Sequence, residues 1–136
     1  MQSNINIHLV SIQDLFSEYG IRNISMDDIA RSLHISKKTI YKQYSCKDEL
    51  VNDIYMSDYY RFKAILHSLE RENSDAISKT IHLYNIFFIK ILSIKTCVHF
   101  DLEKYYPDLL NEIRDLHRES IKKTLIEILL AGKADN

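Results

Sequence analysis

The stretch from Ile21 to Tyr106 contains neither glycine nor proline, and the whole chain of 136 residues holds only Gly20, Gly132 and Pro107. A β-rich fold makes its reversals with residues that tolerate positive φ or pre-set the turn, and those are the residues missing here. Isoleucine and tyrosine are plentiful and favour strands locally, but a turnless stretch of this length is better accommodated by helices with short polar connections. An all-α fold is expected. The length allows one ordinary domain, or two small helical pieces, and excludes large cofactor folds. With 46% hydrophobic and 27% charged residues and a formal net charge of −1, the chain reads as a soluble globular protein, neither a disordered tail nor a polycation.

Cys46 and Cys97 lack any C-x-x-C spacing, so neither a disulfide framework nor a zinc knuckle is expected, and a reducing cytoplasm fits. Met1 to Val10 carries no Lys or Arg and does not read as a secretory signal. The most apolar window, Tyr84 to Ile94, is interrupted by Asn85, Lys90 and Ser93 and falls short of the ~18–20 residues that span a bilayer.

Helical spacing organises the rest. Ile5, Leu9, Ile12, Phe16 and Tyr19 form one apolar stripe of a first helix, stopped by Gly20. Ser25, with Asp28 three residues on, gives a capping box for a short second helix that turns Ile29, Ala30 and Leu33 inward and ends near His34. Ser36 caps a third helix, Lys37 to Tyr44, with Ile40 and Tyr44 facing the core and Lys38, Thr39, Lys42 and Gln43 on the other side. Two short helices flanking a turn of about three residues make a helix-turn-helix. A fourth helix from Lys47 to about Glu70 carries Leu50, Val51, Ile54, Tyr55, Tyr59, Phe62, Ile65, Leu66 and Leu69, a stripe wide enough to touch two bodies. After a break at Arg71–Asp75, a fifth helix over Ala76 to Ile94 is apolar almost all round and is expected to be central. Thr96 to Lys104 forms a short sixth element, and Pro107 opens a last helix that runs up to Gly132.

Charge is uneven. Arg31, Lys37, Lys38, Lys42 and Lys47 lie in a segment without an acid, whereas the remainder carries 13 basic and 19 acidic residues. A basic stripe on the exposed face of a helix-turn-helix is what a phosphate backbone requires, with a solvated lysine face as the plain alternative.

The residues go further. Leu15-Phe16, Tyr19-Gly20, Ser25-Met26-Asp27-Asp28-Ile29-Ala30, Leu33, Ile35 to Tyr41, Tyr44 and Lys47 to Leu50 closely resemble the DNA-binding domain of TetR-family transcriptional regulators. Past Leu50 the resemblance is architectural, apart from Lys104-Tyr105-Tyr106-Pro107. It implies a three-helix DNA-binding domain over residues 1–46 and a helical regulatory domain over 47–136, in a sequence-specific, ligand-responsive repressor acting as a homodimer on a palindromic operator in double-stranded DNA. Ser25, Thr39, Tyr41 and Lys47 would then contact phosphates, while Lys37, Lys38, Lys42 and Gln43 reach base edges, and Tyr41 adds an apolar contact to a thymine methyl.

Four departures from the family pattern stand out. Lys38 replaces a small residue or proline, and Cys46 replaces a Ser or Asn cap, leaving Ser45 with Asp48 as the substitute. No basic residue precedes the first helix, which puts a minor-groove arm in doubt. The family also continues past Gly132 with two helices that pair between subunits, whereas this chain stops at Asn136, so a truncated form with a weak or non-standard dimer is expected.

No two of His8, His34, His67, His82, His99 and His117 stand three or four residues apart, and Cys97, His99, Asp101 and Glu103 fan apart on a helix, so no metal or other cofactor is expected. Neither a phosphate loop nor a nucleophile-base arrangement is present, which argues against an enzyme. Cys46 is read as an inert small apolar residue in preference to a redox switch. Tyr59, Phe62, Tyr84, Phe88, Phe100 and Tyr105 are the candidate lining of a cavity for a small apolar or aromatic effector, with plain core as the alternative. From a different class, the competing reading is a helical module that binds a protein partner through residues 37–47 without reading DNA.

Overall fold

The computed structural model describes residues 3–134, with side chains from Leu9 onward, so Ile5 and His8 lie outside the described side chains. Among the described residues there are seven helices and no strand: α1 Ser3–Tyr19, α2 Met26–Ser32, α3 Lys37–Tyr41, α4 Lys47–Glu70, α5 Ala76–Leu92, α6 Thr96–Tyr105 and α7 Pro107–Ala134. They form two compact units. One takes the chain up to Ser57 together with Lys95–Leu110, and the other takes Asp58–Ile94 together with the chain from Asn111.

In the first unit, Leu9, Ile12 and Phe16 of α1 are buried as their spacing requires, but Tyr19 is 51% exposed. The stripe ends one turn early because Gly20, at φ +84°, turns the chain away while its N–H still closes on Phe16 O at 2.8 Å. Ile21, Ile24, Met26, Ile29 and Ala30 continue this core, Leu33 is half-buried, and α1 packs on α6 through the segment that carries Val98 and Leu102. At the turn between α2 and α3, His34 takes φ +55°, a left-handed position that a non-glycine residue occupies at some cost. α3 ends at Tyr41, three residues earlier than the spacing suggests, with Lys42 as a cap that keeps helical dihedrals. Gln43 and Tyr44 still donate to Ile40 O, at 3.1 and 3.0 Å, which tightens the last turn and keeps Ile40 and Tyr44 buried.

The α4 start is held by a different acid from the one the S-x-x-D pattern indicates. Ser45 N–H donates to Glu49 Oε2 at 2.8 Å, because Glu49 stands at the third helical position, from which a carboxylate reaches back to the cap. Hydrogen bonds from Ser45 hold that carboxyl below its ordinary range. Burial, with Asp48 as hydrogen-bond partner, pushes the Tyr106 phenol up to about 12.

The second unit centres on Phe62, Leu66, Leu69, Leu83 and Ile128, with Ala76, Ile86, Ile121 and Leu125 against them. Ile65, expected inside, is exposed. The larger correction concerns α5. It is not central: Leu83 is its buried residue, whereas Ile77 is 74% and Tyr84 63% exposed, with Ile81, Phe87, Phe88, Ile89 and Leu92 also at the surface. Apolar residues spread round much of α5, and only one narrow face, with Ala76, Leu83 and Ile86, meets the core. Gly132 does not stop α7, which runs on to Ala134; a Cβ on Gly132 would lie 2.5 Å from Ala76 Cβ, so glycine is needed there for close approach to the α5 start. Polar groups finish the unit: Tyr59 Oη and Ser120 Oγ are 2.8 Å apart, and the buried Thr124 donates to Glu70 Oε1 at 2.9 Å. Asp58 and Lys90 form an ion pair.

Candidate nucleic-acid interface

The turn from α2 to α3 is built by two caps. Ser25 Oγ accepts the Asp28 N–H at 3.1 Å while Asp28 Oδ2 accepts the Ser25 N–H at 2.9 Å, completing the capping box. Ser25 Oγ also donates to Asp28 Oδ2 at 2.5 Å, and this bond, with that from the Ser25 N–H, holds the Asp28 carboxyl below its usual value. Ser36 Oγ accepts the Thr39 N–H at 3.1 Å, and the two hydroxyls lie 2.8 Å apart. With Ile40 and Tyr44 buried, helical geometry turns Lys38, Thr39, Tyr41, Lys42 and Gln43 outward, and all five are exposed. The outward side therefore offers two cations, an amide, a hydroxyl and a phenol along two turns, a set suited to phosphate oxygens and base edges.

The five basic residues of the segment are not equivalent. Lys37 Nζ is 2.5 Å from Asp27, and Arg31 is 3.5 Å from Asp28. Lys47 is half-buried: its ammonium donates to Ile21 O and sits 5.8 Å from the centre of the Phe16 ring. Burial pushes its pKa down, opposed by Asp101, Asp48 and Asp28. Among the described residues, Lys38 and Lys42 are the cations of this segment with no acidic partner. Cys46 is exposed, so it does not fill an apolar gap as expected for an inert residue.

Of the six residues expected to line an effector cavity, Tyr59, Phe62, Tyr84 and Phe88 lie in the second unit and Phe100 and Tyr105 in the first. Tyr59 and Phe62 are buried with their rings 5.2 and 4.6 Å from His117, as core. Tyr84 and Phe88 stack on each other at 6.0 Å on the exposed face of α5. Phe100 and Tyr105 belong to the other unit, where Lys104 lies 5.4 Å from both ring centres. The second unit instead has an open groove of about 490 Å³ between α4 and α5, with Ile65, Leu69, Ile86 and Ile89 as apolar walls and Arg71, Glu72, His82 and Asn85 among the polar rim. Those walls were legible as apolar helix positions, but aromatic density pointed elsewhere. No group of three His, Cys, Asp or Glu side chains able to hold a metal occurs among the described residues.

Sequence reasoning missed Asp101. It is 8% exposed, and its Oδ2 accepts the Arg22 N–H at 2.9 Å. On the chain it reads as one more acid of a solvated helix, and only the packing of α6 on α1 reveals it.

Residues 10–54 match the model of the family described as bacterial regulatory proteins, tetR family. Among curated proteins and among solved structures nothing matches the chain.

Proposed function

We propose that the chain, whose residues 10–54 match the TetR-family DNA-binding model, is a DNA-binding transcriptional regulator acting as a sequence-specific, ligand-responsive repressor. The observation that carries base reading is the outward row of Lys38, Lys42 and Gln43, exposed and set by the buried pair Ile40 and Tyr44. Lysine favours guanine O6/N7 and glutamine favours adenine N6/N7, while Ser25, Thr39 and Tyr41 lie on the same two caps and helix to fix register on phosphates. Lys37 joins them on opening its pair with Asp27, while Lys47 stays on the Ile21 carbonyl at the α4 start. A palindromic operator bound by two copies follows from the need to place two such helices ~34–36 Å apart.

Repression relieved by ligand works by population shift: a small apolar or aromatic molecule that prefers the conformer with displaced recognition helices lowers operator affinity by that preference. The α4–α5 groove, with its aliphatic walls, supports such a ligand class. No single helix among the described residues is long and apolar enough to cross a membrane. Bacterial cytoplasm, where DNA is, is the proposed compartment.

Duplexes enriched from a random library by the wild-type chain test the proposal. Lys38→Ala and Gln43→Ala should each lose ~1–3 kcal/mol on the enriched duplex and much less on scrambled DNA. Equal losses on both would refute base reading.

A further inference from the structure

The connection from α1 to α2 is short, and Ser25, which caps α2, follows it directly. We propose that Asp101 is a positioning residue for DNA binding: together with Lys47 it fixes the one peptide group between Ile21 and Arg22, and thereby the start of α2. The two grips fall on opposite ends of that peptide. Lys47 Nζ donates to its oxygen, and its N–H donates to Asp101 Oδ2 at 2.9 Å. A cation at the carbonyl and an anion at the amide match the peptide dipole, and charge-assisted bonds of this kind are stronger than neutral ones.

The site is closed. Ile21 is fully buried, Asp101 nearly so, and a Cβ on Gly20 would stand 3.1 Å from Asp101 Oδ2. A carboxylate so deeply placed must be partnered, and among the described residues the Arg22 N–H is its hydrogen-bonding partner. The Arg22 guanidinium then lies 4.7 Å over the Tyr105 ring, so one residue is held by α6 at both its backbone and its side chain. The clamp thus reaches from α4 and α6 onto the connection that sets Ser25 and Asp28, and half of it comes from outside the segment 10–54. Asp101 touches no DNA in this scheme. It acts through the peptide.

This inference rests on DNA binding through α2 and α3. The experiment uses the full chain with Asp101→Ala, Asp101→Asn and Lys47→Met, at a temperature where circular dichroism shows each to be folded. Amide hydrogen exchange is followed from Arg22 to Asp28, and affinity is measured for the duplex enriched by wild type. Asp101→Ala should speed exchange at Arg22 and at the α2 cap at least tenfold and weaken DNA binding at least tenfold. Asp101→Asn, which keeps an acceptor for the Arg22 N–H, should restore most of both, and Lys47→Met should give the same exchange signature by releasing the other end of the peptide. Unchanged exchange in Asp101→Ala and Lys47→Met, or wild-type affinity in a folded Asp101→Ala with raised exchange, overturns the proposal. If wild type enriches no duplex, the DNA reading itself fails, and the exchange measurement, which needs no DNA, tells that failure from failure of the clamp.

Discussion

Salt dependence of DNA binding separates the lysines that the sequence treats alike. Each phosphate neutralised by a protein cation contributes ~0.9 to the slope of log affinity against log salt. Five independent cations would lose about 500-fold in affinity per bound chain between 50 and 200 mM salt, whereas two would lose about 12-fold. The structure selects the second figure. Lys37 with Asp27 and Arg31 with Asp28 are neutral pairs, and swinging one cation onto a phosphate leaves its carboxylate to attract a counterion instead, so the net release is near zero. Lys47 is committed to the Ile21 carbonyl. Lys38→Gln and Lys42→Gln should therefore each reduce the slope by ~0.9, and Lys37→Gln and Arg31→Gln by well under half of that. Fluorescence anisotropy on a labelled duplex over a salt series measures this. Equal slope losses for Lys37→Gln and Lys42→Gln would refute the argument that the ion pairs on α2 cancel part of the basic stripe.

Two further expectations concern the second unit. Gly132→Val places a branched side chain where a Cβ alone would lie 2.5 Å from Ala76 Cβ, so a loss of ~1–3 kcal/mol in urea unfolding is expected, with Ala76→Gly in the same chain restoring part of it; no loss would show that α7 and α5 part without cost. His117, packed against Tyr59 and Phe62, has its pKa lowered mainly by burial. Its folded value lies below the unfolded ~6.5, so its contribution is whole above that pH and is lost as pH falls through the folded value. His117→Leu should flatten that acid limb of a stability-versus-pH curve, and an unchanged curve would refute the assignment.

Much of the first unit was legible because its signals are local. The Ser25–Asp28 and Ser36–Thr39 caps, the Gly20 stop and the Ile40–Tyr44 spacing each need only a few neighbouring residues, and each is realised. The failures share a different cause. Tyr19 and Ile65 lie on the stripes their spacing defines, yet Tyr19 stands at the Gly20 turn and Ile65 at the open α4–α5 groove, and both are exposed. In α5 the residues Ile77, Ile81, Tyr84, Phe88 and Ile91 share one side at helical spacing, yet that side is at the surface and Leu83, on another, is buried. Asp101 and Gly132 carry meaning only through residues far away in the chain, Arg22 and Ala76, and no window of local sequence contains both partners. Aromatic content likewise says nothing about which rings face one another: Tyr59 and Phe62 are buried, whereas Tyr84 and Phe88 stack at the surface.

The interleaving of the first unit has a consequence for how the protein is made. The family segment ends at residue 54, but the hydrophobic interior to which it belongs also takes Val98, Leu102, Leu109 and Leu110, from a stretch synthesised later. At ~5–20 residues per second, a ribosome needs several seconds to pass from Ser57 to Leu110. During that interval the recognition helices exist without α6, with the apolar face of α1 uncovered and the Ile21–Arg22 peptide held from one side only. A nascent chain therefore completes the interior around the family segment only once translation has gone well into the second half of the message. The segment that matches the DNA-binding family is made first, and the α6 side of its interior comes later.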